Sequence, residues 1–326
     1  MNNIKRKLMG AVTAACALVS LPCSAAAAQP YPSHPITVVV PRSPGGGSDV
    51  IMRVLSPGLS KRLGAPVVIQ NKPDSTAIVG ALMVNRAAPD GYTLYVSDNS
   101  FYQNPAILPK MPYDTIKDFS AVTMLAQGPV VLLVNPSVAA ANLKELIALA
   151  KKEPGALSYA SGGIGASTHL AGVMLNLKAG TSMIHVPFKS SGEALNALLG
   201  GQVSMQFGGL SSAGPMIATG RVRAIAVTGD KRDPAIPDVP TLQEEGLPGA
   251  DVMGVWGIHA PAGTPLEIRR KLRDALVDTM REPAITKQLT SLGYAIVGNT
   301  PEEHQAQTDQ LVKFWVDLSK QVDLHR

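Results

Sequence analysis

Apolar residues fall into short runs separated by turn residues, and their spacing alternates between two periods. Pro35-Ile36-Thr37-Val38-Val39-Val40 is a β-branched run that predicts a buried strand. A Gly-rich turn, Pro41 to Ser48, follows it. Asp49 to Leu63 then carries Val50, Ile51, Val54, Leu55 and Leu59 at helical spacing, with Pro57 weakening the middle. Pro66 to Gln70 predicts a second strand, Ile78 to Ala88 a short helix closed by Pro89-Asp90-Gly91, and Thr93 to Ser97 a third strand. That alternation implies a parallel sheet with right-handed crossovers.

The pattern then restarts. Val130 to Val134 reads as a strand, and Leu143 to Lys152 as a helix capped by Asn142. Leu157 to Ala160 is a strand, followed by a second Gly-rich turn, Ser161 to Ala166, and an apolar-periodic helix to about Leu177. Ile184-His185-Val186, Val203 to Phe207 and Arg223 to Thr228 are further strands, with a helix over Glu193 to Leu199. Val255 to His259 starts a return to the first unit. Thr264-Pro265-Leu266-Glu267 and Thr300-Pro301-Glu302-Glu303 both have the form of a capping box, the second opening a helix that ends near Lys320. The expected fold class is α/β, with a ligand cleft between two lobes, each a mostly parallel sheet flanked by helices. Residues 29–127 and 254–326 form the first lobe, and 128–253 the second.

Residues 1–28 differ in kind. Lys5-Arg6-Lys7, the apolar stretch Leu8 to Leu21 and Ala26-Ala27-Ala28 predict a cleaved secretory signal peptide and a periplasmic mature protein. Both cysteines, Cys16 and Cys23, lie within it, so the mature chain has no thiol chemistry. Removing three basic residues lowers the net charge from +5 to +2, and no basic run interleaved with aromatics remains; nucleic acid is not an expected partner. With 45% hydrophobic and 16% charged residues, the chain is too apolar for disorder.

The informative chemistry is a pair of strand–glycine turn–helix junctions, Pro44-Gly45-Gly46-Gly47-Ser48-Asp49 and Ser161-Gly162-Gly163-Ile164-Gly165-Ala166-Ser167-Thr168-His169. A helix start presents unpaired N–H groups and a positive dipole end, and glycines let a ligand approach the backbone. One junction per lobe would grip a small anion from two sides; the plain alternative is two tight βα turns. Neither turn has dinucleotide or P-loop spacing. Gly209-Leu210-Ser211-Ser212-Ala213 resembles a nucleophile elbow but has Ala in place of its second Gly. No metal-ligand spacing links the histidines. His169 and His185 read as structural histidines before catalytic bases. Arg42 either pairs with a ligand carboxylate or is an exposed cation. Asp49 either caps its helix, bonds a ligand or orders water, and Lys189 is either solvated or a ligand contact.

These segments together resemble the Bug, or TctC-like, periplasmic receptors of tripartite tricarboxylate transporters, from Tyr31-Pro32 to about Trp315. The resemblance rests on Pro44-Gly45-Gly46 with Asp49, Ala88-Pro89-Asp90-Gly91-Tyr92-Thr93-Leu94, and Pro112-Tyr113-Asp114 with Asp118-Phe119. It continues through Tyr159-Ala160-Ser161-Gly162 with His169-Leu170-Ala171, His185-Val186-Pro187-Phe188-Lys189, and Leu199-Gly200-Gly201-Gln202-Val203. Pro237-Asp238-Val239-Pro240-Thr241, Trp256-Gly257 and Ala260-Pro261-Ala262-Gly263-Thr264-Pro265 complete it.

The resemblance implies a type II periplasmic binding protein fold, a monomer without cofactor or catalysis, and capture of a small organic carboxylate for a membrane permease. The competing readings are a periplasmic hydrolase of small esters or amides and a partner of a membrane sensor kinase. The binding positions it implies are Arg42, Ser43, Gly45, Gly46, Gly47, Ser48 and Asp49 in the first turn, and Ser161, Gly163, Gly165, Ala166, Ser167, Thr168 and His169 in the second. Thr76, Ser97, Asn99, Phe188, Lys189 and Gly208 complete the set. Four changes depart from the family pattern. Arg42 replaces an aromatic residue, Asp74-Ser75-Thr76-Ala77 replaces a Gly-Ala-Gly-Gly run, Ala166 replaces Ser or Thr, and Gly208 replaces Asp. On this reading Arg42 adds a cationic contact and the missing Asp removes a repulsive one, favouring a ligand with a second anionic group.

Overall fold

The computed structural model describes residues 30–320 and residue 324. The expected signal peptide and both cysteines lie outside the described residues. β1 (Ile36–Val40), α1 (Gly47–Leu63), β2 (Val67–Asn71), α2 (Ile78–Asn85) and β3 (Thr93–Ser97) follow the expected alternation, and β1 pairs in parallel with both β2 and β3. α1 runs through Pro57, because burial of Ile51, Leu55 and Leu59 outweighs the missing N–H. Then come two elements that the periodicity did not indicate, α3 (Asn99–Ile107) and β4 (Phe119–Gly128). α3 contains Pro105 and a polar sequence, yet Phe101, Tyr102, Gln103 and Asn104 are all buried in it.

The second sheet comprises β5 (Val131–Val134), β6 (Ser158–Ser161), β7 (Ile184–Pro187), β8 (Met205–Gly208) and β9 (Arg223–Val227), in the order β7-β6-β8-β5-β9. Between them lie α4 (Leu143–Lys152), α5 (Ser167–Ala179), α6 (Ser191–Leu199) and α7 (Leu210–Ala218). α4 shows why these segments are helical. Leu143, Leu146 and Ala150 form its buried stripe, Asn142 Oδ1 accepts from Glu145 N at 2.9 Å, and Lys151 and Lys152 stand at the negative dipole end.

The chain returns to the first sheet as β10 (Gly254–Pro261), followed by α8 (Leu266–Met280), α9 (Pro283–Ser291), β11 (Ala295–Ile296) and α10 (Pro301–Ser319). β10 inserts between β3 and β4, giving the order β11-β4-β10-β3-β1-β2. Both sheets are therefore mixed, a correction to the mostly parallel sheets expected. β4 and β10 carry the chain out of the first lobe and back, so they pair antiparallel, and β5 is antiparallel to both β8 and β9.

The two Thr-Pro segments also diverge. Thr300 forms a complete capping box with Glu303. Thr264 does not: the cap position falls on Pro265, and Thr264 Oγ1 donates instead to Pro261 O at 2.7 Å. Each sheet has its own core, around Val38, Leu55 and Leu272 in the first lobe and Leu132, Leu170 and Phe207 in the second. α10 straddles them. Its Val312 packs with Tyr102 and Phe119, whereas Trp315 joins the second lobe's cluster.

Candidate functional site

The first glycine turn is braced from behind by Asp49. Its carboxylate accepts from Gly45 N at 2.9 Å, Arg53 Nε at 2.7 Å and Asn71 Nδ2 at 2.9 Å. Burial raises its pKa, but the bonds from Arg53, Gly45 and Asn71 outweigh that and hold it below the usual carboxylate value. Asp49 is thus neither the cap nor a cleft residue; Gly46 occupies the cap position. Gly45, at φ +84°, makes the bend, and Ser43 Oγ donates across the lobes to Glu193 Oε1 at 2.5 Å.

Arg42 is buried, at 4% exposure, and most of its donors are spent within the protein. Nε donates to Asp98 Oδ2 at 2.6 Å, Nη1 to Gly162 O at 2.9 Å and to Asp74 O at 3.4 Å, and Nη2 to Ser100 Oγ. Burial works against its charge, and Asp98 more than restores it. The expectation of a cation awaiting a second ligand anion is therefore corrected: Asp98 already supplies that anion. The bond to Gly162 also joins the two lobes. Ile164 N donating to Ser75 O at 2.7 Å and Ser100 Oγ donating to Ile164 O at 3.0 Å reinforce the junction.

The second turn is braced by neutral groups. Thr168 Oγ1 accepts from Gly162 N at 2.9 Å, and His169 Nδ1 accepts from Gly165 N at 3.2 Å. Ser161 Oγ shares a hydrogen bond of 2.7 Å with His185 Nε2, and the His185 ring stacks on His169 at 4.1 Å. Burial lowers the His185 pKa to about 4, so the ring is neutral at physiological pH. This Ser–His pair is no hydrolytic dyad. Ser161 is fully buried behind the cleft, and a base titrating near 4 is poorly matched to neutral pH.

Between the turns lies a cleft of about 50 Å³, room for a few waters or the polar end of a small ligand. Arg42, Gly46, Gly47 and Ser48 line one wall, with Asp98 and Asn99 beside them. Gly162, Ala166, Ser167 and Thr168 line the other. The remaining expected positions do not line the cleft: Asp49, Ser161, Gly163, Gly165 and His169 are buried behind it, Ser43 is half-buried and Gly45 is exposed. Thr76 bonds within its own loop to Asp74, and Ser97 Oγ pairs with Tyr102 Oη at 2.9 Å. Phe188 packs on a separate cluster around Val131 and Leu133, Lys189 has its N–H directed at Glu193, and Gly208 faces Leu133; none of these three lines the cleft.

Sequence reasoning missed the rest of the lining. Gly209, Leu210, Ser211 and Ser212 form a third strand–turn–helix junction, at the segment that resembled a nucleophile elbow. Its lack of a second glycine argued against catalysis, and the strand before it could have marked it as a binding turn. Ser191 enters from the start of α6. Trp256 and Tyr294 meet edge-to-face at 5.0 Å, and Tyr294 Oη donates to Gly47 O at 3.1 Å. Burial pushes the Tyr294 pKa up to about 12, so this hydroxyl stays protonated.

Three helices, α1, α5 and α7, start at the cleft from Gly46, Ala166 and Gly209, and none has a side-chain cap. α3 and α6 also start there, but Asp98 and Ser190 cap them. Ser48, in the first turn of α1, is 1% exposed and its Oγ has no hydrogen-bond partner. Among the described residues no His, Cys, Asp and Glu cluster could hold a metal, and no helix is long and apolar enough to cross a membrane.

The model of the tripartite tricarboxylate transporter family receptor matches residues 51–323. The chain belongs to this receptor family. Its receptors bind solutes and are not enzymes, and they include periplasmic binding proteins. Relatives include a UPF0065 protein from the tcbD–tcbE intergenic region of Pseudomonas sp. strain P51, 36% identical over 83% of this chain and 81% of that protein. The solved periplasmic binding protein BugD is 33% identical, with a TM-score of 0.85 over 89% of this receptor and 98% of that chain. MatC from Rhodopseudomonas palustris, solved with bound malate, is 32% identical, with a TM-score of 0.85 over 89% of this receptor and 100% of that chain.

Proposed function

We propose that this receptor captures a small organic carboxylate in the cleft between its lobes and delivers it to the permease subunits of a tripartite tricarboxylate transporter. It works in the periplasm, after removal of residues 1–28. The observation that carries this reading is the buried, unpartnered Ser48 hydroxyl where three uncapped helix starts meet. A buried hydroxyl without a partner is costly, and a ligand that accepts its hydrogen bond removes that cost. The first N–H groups of α1, α5 and α7 have no partners within their helices and favour negative charge. The malate bound to MatC supports the same ligand chemistry.

The test is a thermal-shift screen of unfolded and refolded receptor against carboxylates. At about 100-fold excess over Kd, binding to the native state adds about 2.7 kcal/mol of stability. Ser48→Ala should weaken the best acid about tenfold, about 1.4 kcal/mol, without lowering the stability of the free protein. Unchanged affinity in Ser48→Ala would remove this site assignment.

A further inference from the structure

Arg42 and Asp98 are the only charged side chains lining the cleft among the described residues, and they meet at 2.6 Å. Of the five N–H groups of the guanidinium, four are engaged by Asp98, Ser100, Gly162 and Asp74. The pair presents no net charge to a ligand, so anion stabilisation falls to the helix starts and hydroxyls around Ser48. The lining also holds six apolar or aromatic side chains, Pro129, Val130, Leu210, Trp256, Leu292 and Tyr294, beside the hydroxyls of Ser191, Ser211 and Ser212. Much of this wall comes from the passages between the lobes and from the segment after α9. A second carboxylate would have to lie against these side chains without a free cation, and desolvating it there is costly.

We infer that the cleft selects acids with one carboxylate and an apolar or aromatic body over di- and tricarboxylates. This rests on the carboxylate reading above and narrows it. Asp98 occupies the charge that a ligand's second carboxylate would otherwise meet.

The experiment is calorimetric titration of refolded receptor with butyrate, benzoate, malate and citrate. Butyrate or benzoate should bind at least about tenfold more tightly than malate and citrate. Asp98→Asn keeps an acceptor at the α3 cap but frees the Arg42 charge, so the ratio of malate to benzoate affinity should rise at least about tenfold. Tighter binding of malate or citrate by the wild-type receptor overturns the inference and leaves the carboxylate reading standing. Binding of none of the four acids overturns the carboxylate reading itself. An unchanged ratio in Asp98→Asn overturns the role given to the ion pair.

Discussion

The two glycine turns resemble each other in sequence, yet they are held by different chemistry. The first hangs on a charged group, Asp49, which gathers Gly45, Arg53 and Asn71 from three directions. The second hangs on neutral groups: a threonine hydroxyl, a serine and two stacked histidines. They also differ in the space around their glycines. Gly45 bends at φ +84° with nothing within 4 Å of a hypothetical Cβ. Gly163, at φ +132°, lies where such a Cβ would press on Arg42 Nη1 and come within 2.5 Å of Ser75 O. The first turn leaves its bending glycine in open space and reaches the other lobe through Ser43, whereas the second presses its glycine itself against the opposite lobe.

The sharpest way to break this comparison is Gly163→Ala. Added strain and a backbone collision should cost the bridged state on the order of 3 kcal/mol. Ligand affinity should then fall about 100-fold, and small-angle scattering should show a larger radius of gyration. Unaltered affinity would mean that the junction at Ser75 and Arg42 is not needed for binding.

Acid should separate the turns next. His185 titrates near 4 in the fold, and buried His304 near 3, against about 6.5 when unfolded. The unfolded state therefore binds more protons as pH falls below about 6.5. The stability from these neutral rings is complete above that value and is lost progressively toward their folded values. The Asp49 pKa is lowered as well, but from the carboxylate range, so its contribution is lost only as pH falls through that lower range. Between pH 7 and 5, urea denaturation should show a loss of about 1–2 kcal/mol for each of His185 and His304, and His185→Gln should remove its share of that slope. A wild-type slope in His185→Gln would assign the acid response elsewhere. The smallest effect is expected for Gly45→Ala: about 1 kcal/mol of backbone strain in the same denaturation, with affinity unchanged.

What the sequence made legible follows the range of the interactions. Helices with a clear apolar stripe and a local cap, such as α4 and α10, need only neighbouring residues, and their signals were readable. α3 and β4 were missed because their burial depends on distant packing. Arg42 shows the same limit at the site. Its partners Asp98 and Gly162 lie 56 and 120 positions away, so an exposed cation and a buried ion pair look identical from the sequence. Both glycine turns were legible as helix starts at a cleft. The third, at Gly209, was visible as a motif but weighed only for catalysis, since the turn residues alone do not reveal which surface they face.

The insertion of β10 between β3 and β4 has a consequence for the order in which the molecule can be built. The middle of the first sheet comes from residues synthesised after every strand of the second. A growing chain can complete the second sheet from one continuous stretch. Meanwhile β3 and β4 wait with unpaired edges that invite association with other chains. The first lobe is therefore the last to finish, because its central strand is complete only once residue 261 has been made.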